Sequence, residues 1–153
     1  MPTAGDKITV PTTPGARIAT SIETSDSDNF TNAAEVVIMA VTANLIAGRV
    51  YRVVADTGWS SDTSGDRIRC RIRVADDDED LTGAVLREHN VLASVASGTP
   101  WPWHAAALFE CTQSGDQTFV VTGERLTGAG GNCRLEASST SPSYLYVEYV
   151  EDA

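Results

Sequence analysis

Arg67-Ile68-Arg69-Cys70-Arg71-Ile72-Arg73-Val74 alternates charged and apolar side chains without a break. Successive side chains on a strand point to opposite faces, so this segment places four arginines on one face and Ile68, Cys70, Ile72 and Val74 on the other. The apolar face must turn into a core, and the alternation fixes the register, because a slip of one residue would bury the arginines.

Working outward, apolar β-branched segments alternate with Gly, Ser, Asp and Asn clusters from residue 35 onward, the rhythm of an all-β domain. Strands are expected at Glu35–Val41, Val50–Thr57, Arg67–Val74, Ala84–His89, Trp103–Cys111, Gln117–Glu124, Cys133–Ala137 and Tyr144–Val150. Eight short strands predict an all-β fold, a jelly-roll-like antiparallel β-sandwich over residues 31–153. One local conflict is Asn32-Ala33-Ala34-Glu35, which has the spacing of a helix capping box. The β-branched Val36, Val37, Ile38 and Val41 that follow favour a strand.

Residues 1–30 carry Pro2, Pro11, Pro14, Gly5 and Gly15 and a Thr24-Ser25-Asp26-Ser27-Asp28-Asn29 run, too much punctuation for a helix or a central strand. They are expected to form an extended arm outside the domain. Within it Lys7, Ile8 and Val10, and then Arg17, Ile18 and Ile22, belong to segments able to add as strands to an available edge and so to anchor the chain to a partner.

The whole chain has 153 residues, 42% of them hydrophobic and 21% charged, which suits one globular unit with a sizeable core. Lys plus Arg number 11 against 21 for Asp plus Glu, a net charge of -10 that opposes affinity for phosphate backbones or anionic lipid. Neither nucleic acid nor membrane is an expected partner. The longest apolar stretches, such as Val36 to Val41, fall far short of the roughly 20 residues a spanning helix needs. The opening residues lack a basic segment followed by an apolar one, so synthesis in a cytoplasm is expected.

Residues able to carry chemistry give little. Cys70, Cys111 and Cys133 lack CxxC spacing and read as buried thiols. His89 and His104 have no ligand-spaced companion, so no metal is expected. Asp76-Asp77-Asp78-Glu79-Asp80 fails as a calcium loop, because Leu81 stands where the turn needs Gly and Arg87 where a bidentate Glu belongs. Gly128, Gly130 and Gly131 lack the Lys-Ser/Thr of a phosphate loop and read as a turn. No GxSxG occurs and no pair of carboxylates stands out, so neither a catalytic residue nor a cofactor is assigned and the chain is expected not to be an enzyme.

Two features remain as candidate interfaces. The stripe Arg67, Arg69, Arg71 and Arg73 reads as a solvated face paired with carboxylates, or as a protein contact; Glu124, Glu136 and Glu148 are the expected partners, being in other predicted strands. In Thr99-Pro100-Trp101-Pro102-Trp103-His104, two prolines are expected to hold Trp101 and Trp103 away from a regular strand, either packed over the end of the core or presented to a subunit. With Trp59 they could also stack on sugar rings.

Four segments taken in order resemble a known group: Ala47-Gly-Arg-Val-Tyr-Arg-Val53, Ser64-Gly-Asp-Arg-Ile-Arg-Cys-Arg-Ile-Arg73, Gly115-Asp-Gln-Thr-Phe-Val-Val-Thr-Gly123 and Ser141-Pro-Ser-Tyr-Leu-Tyr-Val-Glu-Tyr-Val150. Their order and spacing are similar to those of small virion accessory proteins, head decoration or minor tail proteins, of tailed phages of actinobacteria. The likeness covers roughly residues 35 to 151 and the Gly5-Asp-Lys-Ile-Thr9 opening. It implies a β-sandwich assembling as a homotrimer on the outer surface of a virion head or tail, with no catalytic residues to carry over. The expected partners are then further copies of the chain and the major capsid protein or tail proteins. A tail module binding a host-surface glycan is the second reading.

Overall fold

The computed structural model describes residues 13–31, 34–92, 100–127 and 130–153. Nine strands follow in chain order: β1 (Arg17–Glu23), β2 (Val36–Leu45), β3 (Arg49–Ser61), β4 (Arg67–Ala75), β5 (Val85–Leu92), β6 (Trp101–Cys111), β7 (Gly115–Thr127), β8 (Cys133–Glu136) and β9 (Ser143–Asp152). No helix occurs among the described residues. One antiparallel sheet runs β1-β9-β3-β6, with the short β8 also pairing β3; the other runs β2-β7-β4-β5. With β8 set aside, one sheet holds the first, eighth, third and sixth strands and the other the second, seventh, fourth and fifth. That is the connectivity of a double-sheet jelly roll.

The alternation in β4 is realised as expected: Ile68, Cys70 and Ile72 are fully buried between the sheets. Tyr51, Val53, Ala55 and Trp59 of β3, Phe119 and Val121 of β7, and Leu145 and Val147 of β9 meet them in one core. Gly123 of β7 allows the two sheets to close around Trp59. A Cβ there would stand 2.7 Å from the Trp59 ring and 2.9 Å from that of Phe30. Gly123→Ala is therefore expected to cost about 1–3 kcal/mol by overpacking, read from urea denaturation.

The amino-terminal boundary differs from the expected one. Arg17, Ile18 and Ile22 are not in a free arm but in β1, whose pairing with β9 runs from Arg17 opposite Glu148 to Glu23 opposite Ser143. A tight turn delivers them there: Ala16 N donates to Thr13 O at 3.0 Å across Pro14-Gly15, with Gly15 at φ 80°. Gly15 N then donates to Tyr149 O at 2.8 Å. Once folded, the edge of β9 offers unpaired backbone groups, and the nearest strand able to satisfy them belongs to the same chain. The sandwich therefore begins by Arg17, while Lys7, Ile8 and Val10 lie outside the described residues. Deleting residues 1–24 is expected to lower the melting temperature followed by circular dichroism. An unchanged melting curve would return β1 to the status of an appendage.

The Trp-Pro-Trp segment carries the strand expected at Trp103–Cys111 back to Trp101, and of the two placements expected for its indoles Trp103 takes the packed one. Trp101–Cys111 is a regular strand at the sheet edge, where the missing N–H of Pro102 is tolerated, and Trp103 is buried in the core. Thr99 lies outside the described residues, as do Asn32 and Ala33. Glu35 stands immediately before β2.

Candidate functional site

The sandwich presents two outer faces of opposite character. On the four-stranded sheet, the alternation of β4 turns Arg69, Arg71 and Arg73 outward, and the register sets Glu88 and Thr122 on either side of Arg71 and Glu124 beside Arg69. Arg71 Nε donates to Glu88 Oε2 at 2.7 Å, and its Nη1 donates to Glu35 Oε2 at 2.6 Å and Glu124 Oε2 at 3.0 Å. Arg73 Nε donates to Glu35 Oε1 at 2.7 Å, and Arg69 Nη1 to Glu124 Oε2 at 3.2 Å. Thr122 also donates to Glu35. Only 9% of the Arg71 side chain is exposed, so these charges are shielded from water, unlike an ordinary surface pair.

Of the three expected carboxylates, only Glu124 serves this stripe. Glu136 pairs with Arg134, and Glu148 lies on the other sheet with Arg52 and Arg17. Glu35 and Glu88 supply the rest. Glu88 could have been found from the sequence only by knowing that β5 flanks β4, which sets it opposite Arg71, whereas Glu35 reaches the stripe from before β2, beyond β7 in the sheet. Arg67 stays exposed.

Burial pushes the Glu35 carboxyl up, yet hydrogen bonds from Arg73 and Thr122 and the charges of Arg73 and Arg71 outweigh it, leaving its pKa below the ordinary value. The hydrogen bond from Arg71 lowers that of Glu88. A carboxylate with a depressed folded-state pKa stabilises the fold above its unfolded pKa and loses that contribution as pH falls through the folded value. Melting temperature is therefore expected to fall between about pH 6 and about pH 3, and to fall less in Glu35→Gln. Equal slopes in the two proteins would remove Glu35 from the acid response.

The tryptophans do not form a stacking platform. Trp59 and Trp103 are 1% and 4% exposed and meet edge to face at 6.4 Å. Trp103 Nε1 donates to His89 Nδ1 at 3.0 Å, tying β6 of one sheet to β5 of the other. Trp101, 46% exposed, is the one of the three left at the surface.

The remaining candidates have structural work. Cys70, Cys111 and Cys133 are unpaired and buried, and burial pushes the Cys70 thiol well up, which keeps it protonated. In the acidic turn, Asp80 accepts from the backbone N–H of Asp76 at 3.0 Å and of Thr82 at 2.7 Å. Among the described residues no group of His, Cys, Asp and Glu could hold a metal ion. Gly130 and Gly131 donate their backbone N–H groups to the buried Asp66, which also accepts from Ser61 at 2.6 Å, so the glycine turn is bound to the β3–β4 loop.

On the five-stranded sheet the outer face is ordered in rows across the strands. Arg17, Glu148, Arg52 and Leu108 form one row; Thr20, Tyr146, Val54 and Ala106 the next; Ile22, Tyr144, Asp56 and His104 the third. Glu148 is held by Arg52 and lies 3.9 Å from Arg17, whose guanidinium stacks 3.9 Å from the Tyr146 ring centroid. Among the described residues the ion-pair partner of Asp56 is His104, 4.0 Å away, which is charged only when protonated. Leu108 is 67% exposed and Ile22 53%. The first row thus carries an excess of positive charge, the third an exposed carboxylate, and the middle row is largely apolar.

Comparison with protein-family models gives no match, and neither does comparison with curated sequences. Among solved structures, the Eiger TNF of S. frugiperda is similar over 92% of this chain and 96% of its own, at 12% identity and a TM-score of 0.54. A structure of infectious bursal disease virus, Gx strain, aligns with 100% of this chain at 12% identity and a TM-score of 0.46. Modules of an endo-1,4-beta-D-xylanase of Clostridium thermocellum, complexed with xylohexaose, align with 92% at 9% identity and a TM-score of 0.47. The chain spans 41% and 30% of the lengths of these last two. At such identities the likeness concerns the fold.

Proposed function

We propose that this chain is a structural protein of a bacteriophage virion, a decoration subunit on the outer surface of the head, and that it works by packing and without catalysis. The ordered motifs support this reading, and the observation that carries it is the contrast between the two outer faces. The four-stranded face closes its buried charges among its own residues. The five-stranded face leaves Ile22, Ala106 and Leu108 exposed beside Tyr144 and Tyr146, the mixture of aliphatic and aromatic surface that protein contacts use. The partners in this reading are further copies of the chain and the major capsid protein, with Lys7, Ile8 and Val10 as the anchoring segment.

Counting copies in purified particles tests the reading. Hundreds per particle are expected for a head protein; a few would move it to the tail, and absence from particles would overturn it. A second arm concerns anchoring: a chain lacking residues 1–12 is expected to keep its circular dichroism spectrum and to lose co-sedimentation with particles. Undiminished binding would refute the anchor.

The glycan-binding reading narrows to Trp101, 46% exposed and the one of the three tryptophans at the surface. A glycan array that lights up with this chain and goes dark with Trp101→Ala would favour it over the capsid reading.

A further inference from the structure

We infer that the outer face of the five-stranded sheet binds the same face of a second copy about a two-fold axis, and that Arg52 of each copy then meets Asp56 of the other. The pattern of rows selects this arrangement. Where the strands of two such faces lie aligned, a two-fold axis in the interface runs either along the strands or across them. An axis along the strands lays each row on the same row of the other copy, the positive excess of the first row on itself and the Asp56 row on itself, which like charges oppose. An axis across the strands, along the Thr20, Tyr146, Val54 and Ala106 row, inverts the strand direction and lays the first row of one copy on the third row of the other.

Every opposition is then compatible. Arg52, half-exposed, faces the exposed Asp56 twice over, Leu108 faces His104, Glu148 faces Tyr144, and the stem of Arg17 faces Ile22. The members of the axial row, Thr20, Tyr146, Val54 and Ala106, are themselves uncharged, and the Arg17 guanidinium of each copy is held on its own Tyr146 ring. Within one chain Arg52 donates Nε and Nη2 to Glu148 while Arg17 stands 3.9 Å from the same carboxylate, so the cluster carries one positive charge in excess and the partner's Asp56 meets it at the half-exposed Arg52. Four strands about 4.8 Å apart, over the nine residues from Val50 to Gly58, offer roughly 500 Å2 per copy. The pair thus buries about 1,000 Å2, the lower bound for a specific interface. This inference stands independently of the virion reading, and it sets a two-fold pair against the threefold assembly that the sequence resemblance implies.

Sedimentation velocity on the full chain tests it, with an expected mass of about 32 kDa, twice the 16.2 kDa of one copy. Ala106→Asp places a carboxylate on the axis against its own copy and is expected to give folded monomers with an unchanged circular dichroism spectrum, since position 106 is exposed. Asp56→Arg is expected to weaken association by at least about tenfold. Ala106→Cys, treated with a bismaleimide spanning about 10 Å, is expected to yield cross-linked dimers, because this residue meets itself across the axis. A wild-type trimer would overturn the inference in favour of the threefold. A wild-type monomer would leave the face to a different protein, and a dimer that survives Ala106→Asp would place the contact elsewhere.

Discussion

Arg71→Met is expected to lower the melting temperature by about 6–12 °C in a calorimetric scan, following a loss of about 3 kcal/mol. Methionine keeps most of the volume, so the effect isolates the charge. Removing the guanidinium strands three carboxylates that now share it, two of which, Glu35 and Glu124, have only 14% and 17% of their side chains exposed. A buried ion whose partner is deleted costs about 3–5 kcal/mol. The lower end applies here because Arg73 still serves Glu35, Arg69 still serves Glu124, and Glu88 can turn to solvent. Arg67→Met, at the exposed end of the same stripe, is expected to stay within about 0.5 kcal/mol of the parent. Equal effects at the two positions would mean that the stripe is solvated along its whole length.

Trp59→Ala is expected to cost about 3–5 kcal/mol, enough to move the urea midpoint by more than any other single truncation discussed. The indole packs edge to face with Phe30 at 6.3 Å and with Trp103 at 6.4 Å, and its N–H donates to Thr57 Oγ1 at 2.8 Å inside the core. Alanine would leave a large cavity and an unsatisfied hydroxyl. Trp101→Ala, two strand positions from Trp103 but 46% exposed, is expected to leave stability nearly unchanged. The opposite ranking would show that Trp59 is a surface residue, as the sugar-stacking expectation required.

The eight strands from β2 onward were legible because each buries one face, and burial imposes alternation on the sequence. β1 was not, since its residues are half-buried or exposed throughout and Pro14 and Gly15 beside it resemble the punctuation of a disordered segment. The same proline signal hid the first two residues of β6, where Pro102 lies on an edge strand that needs no donor from it. Among the candidate residues, the need of the arginine stripe for counter-charges could be read directly from four like charges on one strand. Their identities could not. Glu35 precedes β2 outside any alternating pattern, and Glu88 becomes a neighbour only through the pairing of β5 with β4.

The pairing of β1 with β9 joins residues at opposite ends of the chain, Arg17 with Glu148. A nascent chain therefore releases its first strand from the ribosome long before the strand that must hold it has been made. β3 is kept waiting in the same way, because β9 is its neighbour on one side and β6 on the other. Synthesis halted before Ser143 would leave two open edges on the unfinished sheet, ready to join those of other nascent chains. Folding of this sheet thus waits until β9 has emerged. Crowded polysomes or premature stops are expected to yield inclusion bodies, whereas refolding the finished chain in dilution should yield the soluble protein.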